Sequence, residues 1–504
     1  MNPEYVIIQA GGRGSRMDYL TDNKPKALVP IEKKPMIFHL FDKFPDKRFI
    51  IIGDYKIDVL RNYLESFAKV KFIVVNAKGK KGTLGGIGKA IDIIPNDASF
   101  MLIWSDLVLP DSFEFPEVEN NYIGLSKDFE CRWMYKNRKF EEKPSAEFGV
   151  SGLFLFKNKS YIKNIPESGE FVNWLRFQNI KFDTFSLHFT QEFGLIEKWK
   201  QKLNENLSEK CRPFNKITEI EGMLVKKGID QKGKELAVLE CAWYKEASKL
   251  GYTYIPTIYG FDPIKMERIS GKNVYEYRNL TYEQRKDIIK KIVDNLKQLH
   301  VLKSVPTDYF SILKNSYFKT FERIDKIRNI IPFADKATIN VNGRDCKNIF
   351  FFKEKLYCKI QEYCCEKFEF IHGDCTFSNI MLDRELNPVL IDPRGYYGYT
   401  KLFGDPLYDW AKVYYSIIGN YDQFNLKRFR LRVLDSGVEV DVESNGWEDV
   451  ADYYLSLLKD EVNVEDIKLI HAIIWLSLTT YAWEDYDSIC SAFYLGLYYL
   501  EEVL

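Results

Sequence analysis

Over the first 110 residues short β-branched runs alternate with amphipathic stretches, and this alternation constrains the fold more than any other feature. The runs at 5–10 (YVIIQA), 49–52 (FIII), 71–75 (KFIVV) and 100–104 (FMLIW) predict buried strands. The stretches at 35–44, 57–67 and 85–94 predict the intervening helices. Strands spaced by helices imply βαβ units and a Rossmann-like, mostly parallel sheet, whose ligands bind beyond the strands' carboxyl ends. Runs at 122–125 and 149–156 extend this domain, and 192–207 predicts a helix ending near Cys211-Arg212-Pro213.

Past residue 208 the pattern changes. Residues 216–227 read as strand–turn–strand around Glu221-Gly222, 237–250 as helix and 257–269 as strands. Beyond 280 helical patterns dominate, broken by one hairpin-like stretch at 370–391. The expected architecture is therefore α/β at 1–207 followed by a two-lobed α+β domain at 208–504. Its small β-rich lobe spans about 208–270 and its larger helical lobe 271–504.

Charge excludes one class of function. Lys plus Arg number 72 and Asp plus Glu 72, so no basic excess is available to coat nucleic acid. No apolar run approaches the roughly 20 residues that span a bilayer, and the start at 1–5 lacks signal-peptide character. Nine cysteines without a C-x-x-C pair suggest neither a disulfide framework nor zinc, and adjacent Cys364 and Cys365 read as ordinary buried thiols. The expectation is a cytoplasmic enzyme of small-molecule substrates, free to form a homo-oligomer, without nucleic-acid partners or membrane insertion.

The first predicted strand runs into Gly11-Gly12-Arg13-Gly14-Ser15-Arg16. Glycines let the backbone approach a polyphosphate and aim N–H groups at it, and Arg16 adds charge. The dinucleotide fingerprint is broken by Met17, and no Walker A loop is present. Together with Lys24-Pro25-Lys26-Ala27-Leu28-Val29-Pro30, the stretch resembles the signature of sugar-phosphate nucleotidyltransferases. Four further segments, in order, resemble that family: Gly82-Thr83-Leu84-Gly85-Gly86, Trp104-Ser105-Asp106, Glu142-Lys143-Pro144 with Gly152, and Gln191-Glu192-Phe193-Gly194.

The resemblance implies roles. Gly11, Gly12, Gly14, Gly82, Thr83 and Gly85 hold the nucleotide, and Asp106 and Glu192 hold Mg²⁺, with Asp183 as rival to Glu192. Arg16 and Lys26 steady the leaving pyrophosphate, Lys143 holds the incoming phosphate, and Glu142 and Gly152 bind the substrate. The nucleophile is a phosphomonoester already anionic near neutral pH, so charge neutralisation and in-line positioning suffice.

A second constellation lies at His372-Gly373-Asp374-Cys375-Thr376-Phe377-Ser378-Asn379, followed by Asp392 at a strand end. It has the H-x-D-x-x-x-x-N plus late Asp layout of kinase-like phosphotransferases. With Gly404-Asp405-Pro406-Leu407-Tyr408-Asp409 it resembles the aminoglycoside phosphotransferase and choline kinase superfamily. The resemblance implies Asp374 as catalytic base, Asn379 and Asp392 as Mg²⁺ ligands, and His372 and Asp409 as support. Lys226 (or Lys227) would grip ATP phosphates, paired with Glu240 (or Glu246), and Glu267 and Ile269 would meet adenine.

The tandem implies two consecutive steps: a hydroxyl compound is phosphorylated by ATP, and its phosphate is then coupled to a second nucleotide (CTP, UTP, GTP or dTTP). Such products feed cell-surface glycan synthesis. Asp392-Pro393-Arg394-Gly395 departs from the acidic-aromatic stretch of choline kinases and favours a sugar or polyol. Choline or ethanolamine is the alternative, for which Trp475, Tyr481, Trp483, Glu484, Asp485 and Tyr486 could cage an ammonium. A silent nucleotide-binding sensor is the alternative of another class.

Overall fold

The computed structural model describes residues 2–208, 215–363 and 365–504. Cys211, Arg212, Pro213 and Cys364 lie outside the described residues. Two compact units are present: Met1–Ser208 with Trp483–Tyr486, and Glu209–Ala482 with Asp487–Leu504.

The first unit is a mixed α/β domain. Tyr5–Gln9 lies between Arg48–Gly53 and Phe100–Trp104, parallel to both, and Lys71–Asn76 extends the sheet beyond Arg48–Gly53. Val6, Ile7, Ile8, Met101, Leu102 and Ile103 are fully buried, which is why these strands read as continuous apolar runs. Helix Ile57–Phe67 buries Ile57, Leu60, Tyr63 and Leu64, one stripe at helical spacing. Helices Met36–Lys43 and Ile87–Asp92 are the other two predicted, the latter shorter than expected. Gly149–Phe156 runs antiparallel to Phe100–Trp104 and carries the sheet on to Tyr122–Ser126.

One correction falls at the functional end. The helix expected from 192 begins at Ile196. Gln191–Glu192 is instead a two-residue strand paired with Leu107–Val108, and Phe193 N–H donates to Asp106 O at 3.0 Å.

The second unit opens with the antiparallel hairpin Asn215–Ile220/Met223–Gly228, turned by Glu221 and Gly222 at positive φ. Ile264–Glu267 and Ile258–Phe261 complete a four-stranded sheet. Helix Gln231–Lys249 starts six residues before the expected position, because Asp230 caps it by accepting from Gly233 N–H at 2.7 Å. Helices Tyr282–His300, Pro406–Ile417 and Val464–Leu478 follow.

The helical expectation beyond 280 missed a second four-stranded sheet, ordered Arg344–Lys347, Thr338–Val341, Val438–Val442, Phe429–Val433. Cys365, expected to be buried, is half-exposed. No helix among the described residues is long and apolar enough to cross a membrane.

Candidate active site

In the first unit the loops after the parallel strands enclose a cavity of ≈1220 Å³. Gly11, Gly12, Arg16, Lys26, Gly82, Thr83, Gly85, Asp106 and Glu192 all line it. Lys26 Nζ lies 2.5 Å from Asp106 Oδ2. Asp106 Oδ1 is buried without a hydrogen-bond partner among the described residues, which a buried carboxylate oxygen does not tolerate unless something else meets it. Glu192 Oε2 is 2.7 Å from Lys198 Nζ. The short Leu107–Val108/Gln191–Glu192 ladder brings the two acidic segments together.

This cavity offers paired carboxylates rather than a cage: among the described residues no three His, Cys, Asp or Glu side chains converge. Mg²⁺ is commonly held by one or two carboxylates plus substrate phosphates, so the orphaned Asp106 oxygen and Glu192 fit it.

Four expected residues are not in the lining. Glu142 and Lys143 are exposed, and Glu142 accepts from Arg132 at 2.5 Å. Gly14 and Gly152 back the lining instead: a Cβ at Gly14 would meet Lys26 Cβ at 2.9 Å, and one at Gly152 would meet Trp104 Cε3 at 2.1 Å. Thr83 anchors its loop, its hydroxyl accepting from Phe171 N–H at 2.7 Å. Asp183, the rival to Glu192, pairs across strands with Tyr122 and accepts from Asn120 Nδ2 at 2.6 Å. Arg132 and Lys198 line the cavity and were missed, since isolated basic residues without a motif give no signal.

In the second unit Lys226 is the buried lysine of its strand, and Lys227, one step on, faces solvent. Lys226 Nζ reaches Glu240 at 2.8 Å and Asp392 Oδ1 at 2.7 Å. Burial pulls this ammonium down, but the Asp392 and Glu240 charges outweigh it and raise its pKa above the ordinary lysine value. Glu246 serves Lys303 instead, at 2.8 Å.

Asn379 Nδ2 donates to Asp374 O at 2.7 Å and to its carboxylate at 3.1 Å, while Ile391 N–H donates to Asn379 O at 2.9 Å. Asp374, Asn379 and Asp392 therefore belong to one loop system. Asp409 braces it, accepting from His372 N–H at 2.8 Å and Gly373 N–H at 2.7 Å. Burial pushes the Asp409 carboxyl up, yet the His300 hydrogen bond and the neighbouring imidazoles hold it below the usual carboxylate range.

The His372 ring lies between Ile391 O, 2.9 Å from Nε2, and Asp374 N–H, 3.3 Å from Nδ1. A carbonyl can only accept and an N–H can only donate, so the ring is the neutral Nε2–H tautomer with both nitrogens engaged. Both nitrogens are thereby spent on bracing the loop. Burial keeps the His372 pKa below the ordinary histidine value. Glu267 accepts from Thr257 Oγ1 at 2.9 Å, and Ile269 O accepts from Gly271 N–H at 3.0 Å, just past the sheet's third strand.

The tail residues that could cage an ammonium already have partners. Trp475 is buried and donates to His471 at 3.1 Å, Tyr481 carries Lys232 5.7 Å from its ring, and Asp485 pairs with Lys24 at 3.0 Å.

The first unit is a Rossmann-like domain, and its residues 6–113 match the model of the MobA-like NTP transferase domain. Among curated proteins the chain is 25% identical over 245 residues to the bifunctional protein GlmU of Methanocaldococcus jannaschii, covering 47% of this chain and 53% of that one. It is 29% identical over 105 residues to the UTP–glucose-1-phosphate uridylyltransferase AglF of Haloferax volcanii, covering 20% of this chain and 42% of that one. The chain thus spans about half or less of the length of these relatives. Among solved structures, HddC from Yersinia pseudotuberculosis aligns with TM-score 0.34 at 19% identity, over 40% of this chain and 99% of that one. The CTP:phosphocholine cytidylyltransferase LicC from Streptococcus pneumoniae aligns with TM-score 0.35 at 20% identity, over 41% of this chain and all of that one.

Proposed function

We propose that the chain is a bifunctional enzyme: the second unit phosphorylates a small hydroxyl compound with ATP, and the first couples the phosphomonoester to a nucleoside triphosphate. The observation that carries the pairing is one polar constellation in each unit, Asp106 and Glu192 on one cavity in the first, and Lys226 on Asp392 with Asn379 on Asp374 in the second. A pure binding module has no need of either. In the phosphorylating half, Asp374 takes the acceptor hydroxyl proton as the new O–P bond forms and ADP leaves. Lys226, held by Glu240, steadies the nucleotide phosphates.

In the coupling half, the phosphomonoester oxygen attacks the α-phosphorus and pyrophosphate departs toward Arg16 and Lys26. Mg²⁺, when bound, would neutralise charge on the triphosphate oxygens. A sugar or related polyol is the favoured acceptor, and the product is an activated precursor for cell-surface glycans.

A coupled assay tests this with ATP, each further nucleotide, and a panel of sugars, polyols, choline and ethanolamine. Asp374→Ala should abolish phosphorylation and spare nucleotidyl transfer to ready-made phosphomonoesters; Asp106→Ala should do the reverse. Absence of ATP-dependent phosphorylation with every hydroxyl compound would remove the kinase half.

A further inference from the structure

Beside Asp374 three separate elements deliver basic side chains: Lys319 and Arg323 on helix Lys319–Ile327, Arg394 just after Asp392, and Lys412 on helix Pro406–Ile417. The hub of three of them is the Tyr408 ring. Lys319 Nζ, Arg394 Cζ and Lys412 Nζ stand 5.9, 5.8 and 5.8 Å from its centroid, and Arg394 Nη1 donates to the Tyr408 hydroxyl at 3.1 Å.

The cluster is tied to the loop that carries Asp374. Lys412 Nζ is 2.9 Å from Asp374 Oδ1, and Arg394 N–H donates to His372 O at 2.9 Å. A Cβ added at Gly373 would meet the Arg394 stem at 3.0 Å. All four cations are partly buried. Lys319 donates to the neutral Asn315 side chain at 2.7 Å, and Arg323 to the carbonyl of Ser477.

The charges do not balance. Lys412 is paired with Asp374 at 2.9 Å, while Lys319 and Arg323 donate to neutral oxygens. Burial, then the facing Arg394, Arg323 and Lys412, disfavour the charged form of Lys319, and an anion arriving beside it would favour that form again. Half-desolvated cations of one sign store repulsion that an incoming anion relieves. The nucleotide phosphates already have their lysine, Lys226, on another element. An ammonium-bearing alcohol meets the wrong sign here.

We propose that the alcohol phosphorylated at Asp374 is itself an anion, carrying a carboxylate or a phosphate group that Lys319 and Arg394 hold. This rests on the kinase reading above and narrows its acceptor to acidic sugars or polyols. The group bound is a spectator: the acceptor hydroxyl oxygen bonds to the terminal phosphorus of ATP, the phosphoanhydride bond breaks, and the hydroxyl proton passes to Asp374.

The test is ATP-dependent phosphorylation by the full chain with matched acceptors: glycerol, glycerate and glycerol phosphate; glucose, glucuronate and glucose phosphate; and choline and ethanolamine. The expected result is a kcat/KM for one anionic class at least tenfold above its neutral partner, the scale of one charge-assisted hydrogen bond. Carboxylate and phosphate arms separate the two sources. In Lys319→Gln and Arg394→Gln, each checked for folding by its thermal transition, the anionic-to-neutral ratio of kcat/KM should fall by about tenfold.

Neutral or cationic alcohols turned over as well as anionic ones would overturn the inference and leave the kinase reading standing. An equal loss with neutral and anionic acceptors would assign the cluster to the transferred phosphoryl group and also overturn it. No phosphorylation of any acceptor would remove the kinase reading itself, and this inference with it.

Discussion

Gly194→Ala isolates the geometry of Glu192 from its chemistry. The φ of Gly194 lies outside the left-handed region, so alanine fits the backbone without strain. Its new Cβ would sit 2.1 Å from Glu192 Oε1 and 3.1 Å from Arg16 Nη2. Ordinary contact begins near 3.4 Å, so the carboxylate oxygen must retreat by 3.4 − 2.1 = 1.3 Å. A carboxylate on a flexible stem can do so for about 1 kcal/mol of rotamer cost. The loss of unfolded-state freedom from Gly to Ala returns about 0.4–1 kcal/mol. Stability should therefore stay within about 1 kcal/mol of wild type. A displacement of about 1 Å at a reacting site costs up to about 10²-fold. Pyrophosphate release, measured with the nucleotide and phosphomonoester pair the wild-type chain turns over fastest, should fall by about 10- to 100-fold. Chemical denaturation checks the other half of the expectation. A folded variant with wild-type transfer would refute the assignment of Glu192 to the reacting centre.

The second unit gives two further predictions. Lys226→Met removes the cation between Glu240 and Asp392, and it should cost about 2–4 kcal/mol and abolish phosphorylation. Lys227→Met, at an exposed position, should change stability by less than about 0.5 kcal/mol and leave phosphorylation intact, both read by urea titration and ATP turnover. His471 is buried beside Tyr414, Tyr415 and Tyr499, where desolvation lowers its pKa to about 3. Between about 3 and the unfolded value near 6.5 the unfolded chain binds the extra proton, so stability is full above 6.5 and is lost as pH falls. The span corresponds to at most about 5 kcal/mol. His471→Gln should flatten that limb of the pH–stability curve, and an unchanged curve would show that the ring is not held neutral.

What the sequence disclosed follows from local physics. Both-face burial made the parallel strands legible, and Gly11 to Arg16 follows directly on the first of them. Asp374, Asn379 and Asp392 were legible because a loop and a hairpin hold them at short spacing. Lys226 against Lys227 stayed open because only packing chooses the strand's inner face, and Glu240 is fixed only once its helix lies on that face.

The missed sheet had a signal. Asn342-Gly343, both at positive φ, marks a tight hairpin, and Val438–Val442 alternates apolar with acidic residues. Its strands of four or five residues were overshadowed by the helices around them. The basic cluster around Tyr408 had none, because Lys319, Arg394 and Lys412 meet only through three-dimensional packing.

The two-residue ladder between Leu107–Val108 and Gln191–Glu192 also fixes when the first unit becomes competent. Asp106 leaves the ribosome 86 residues ahead of Glu192 (192 − 106), and every glycine of the cradle precedes both. Such a distant pairing forms only after the intervening loop entropy has been overcome. The Gly82 to Gly86 loop is pinned in turn by Phe171 N–H on the Thr83 hydroxyl, so that loop and the second acidic segment both take their places only after most of the unit has been made.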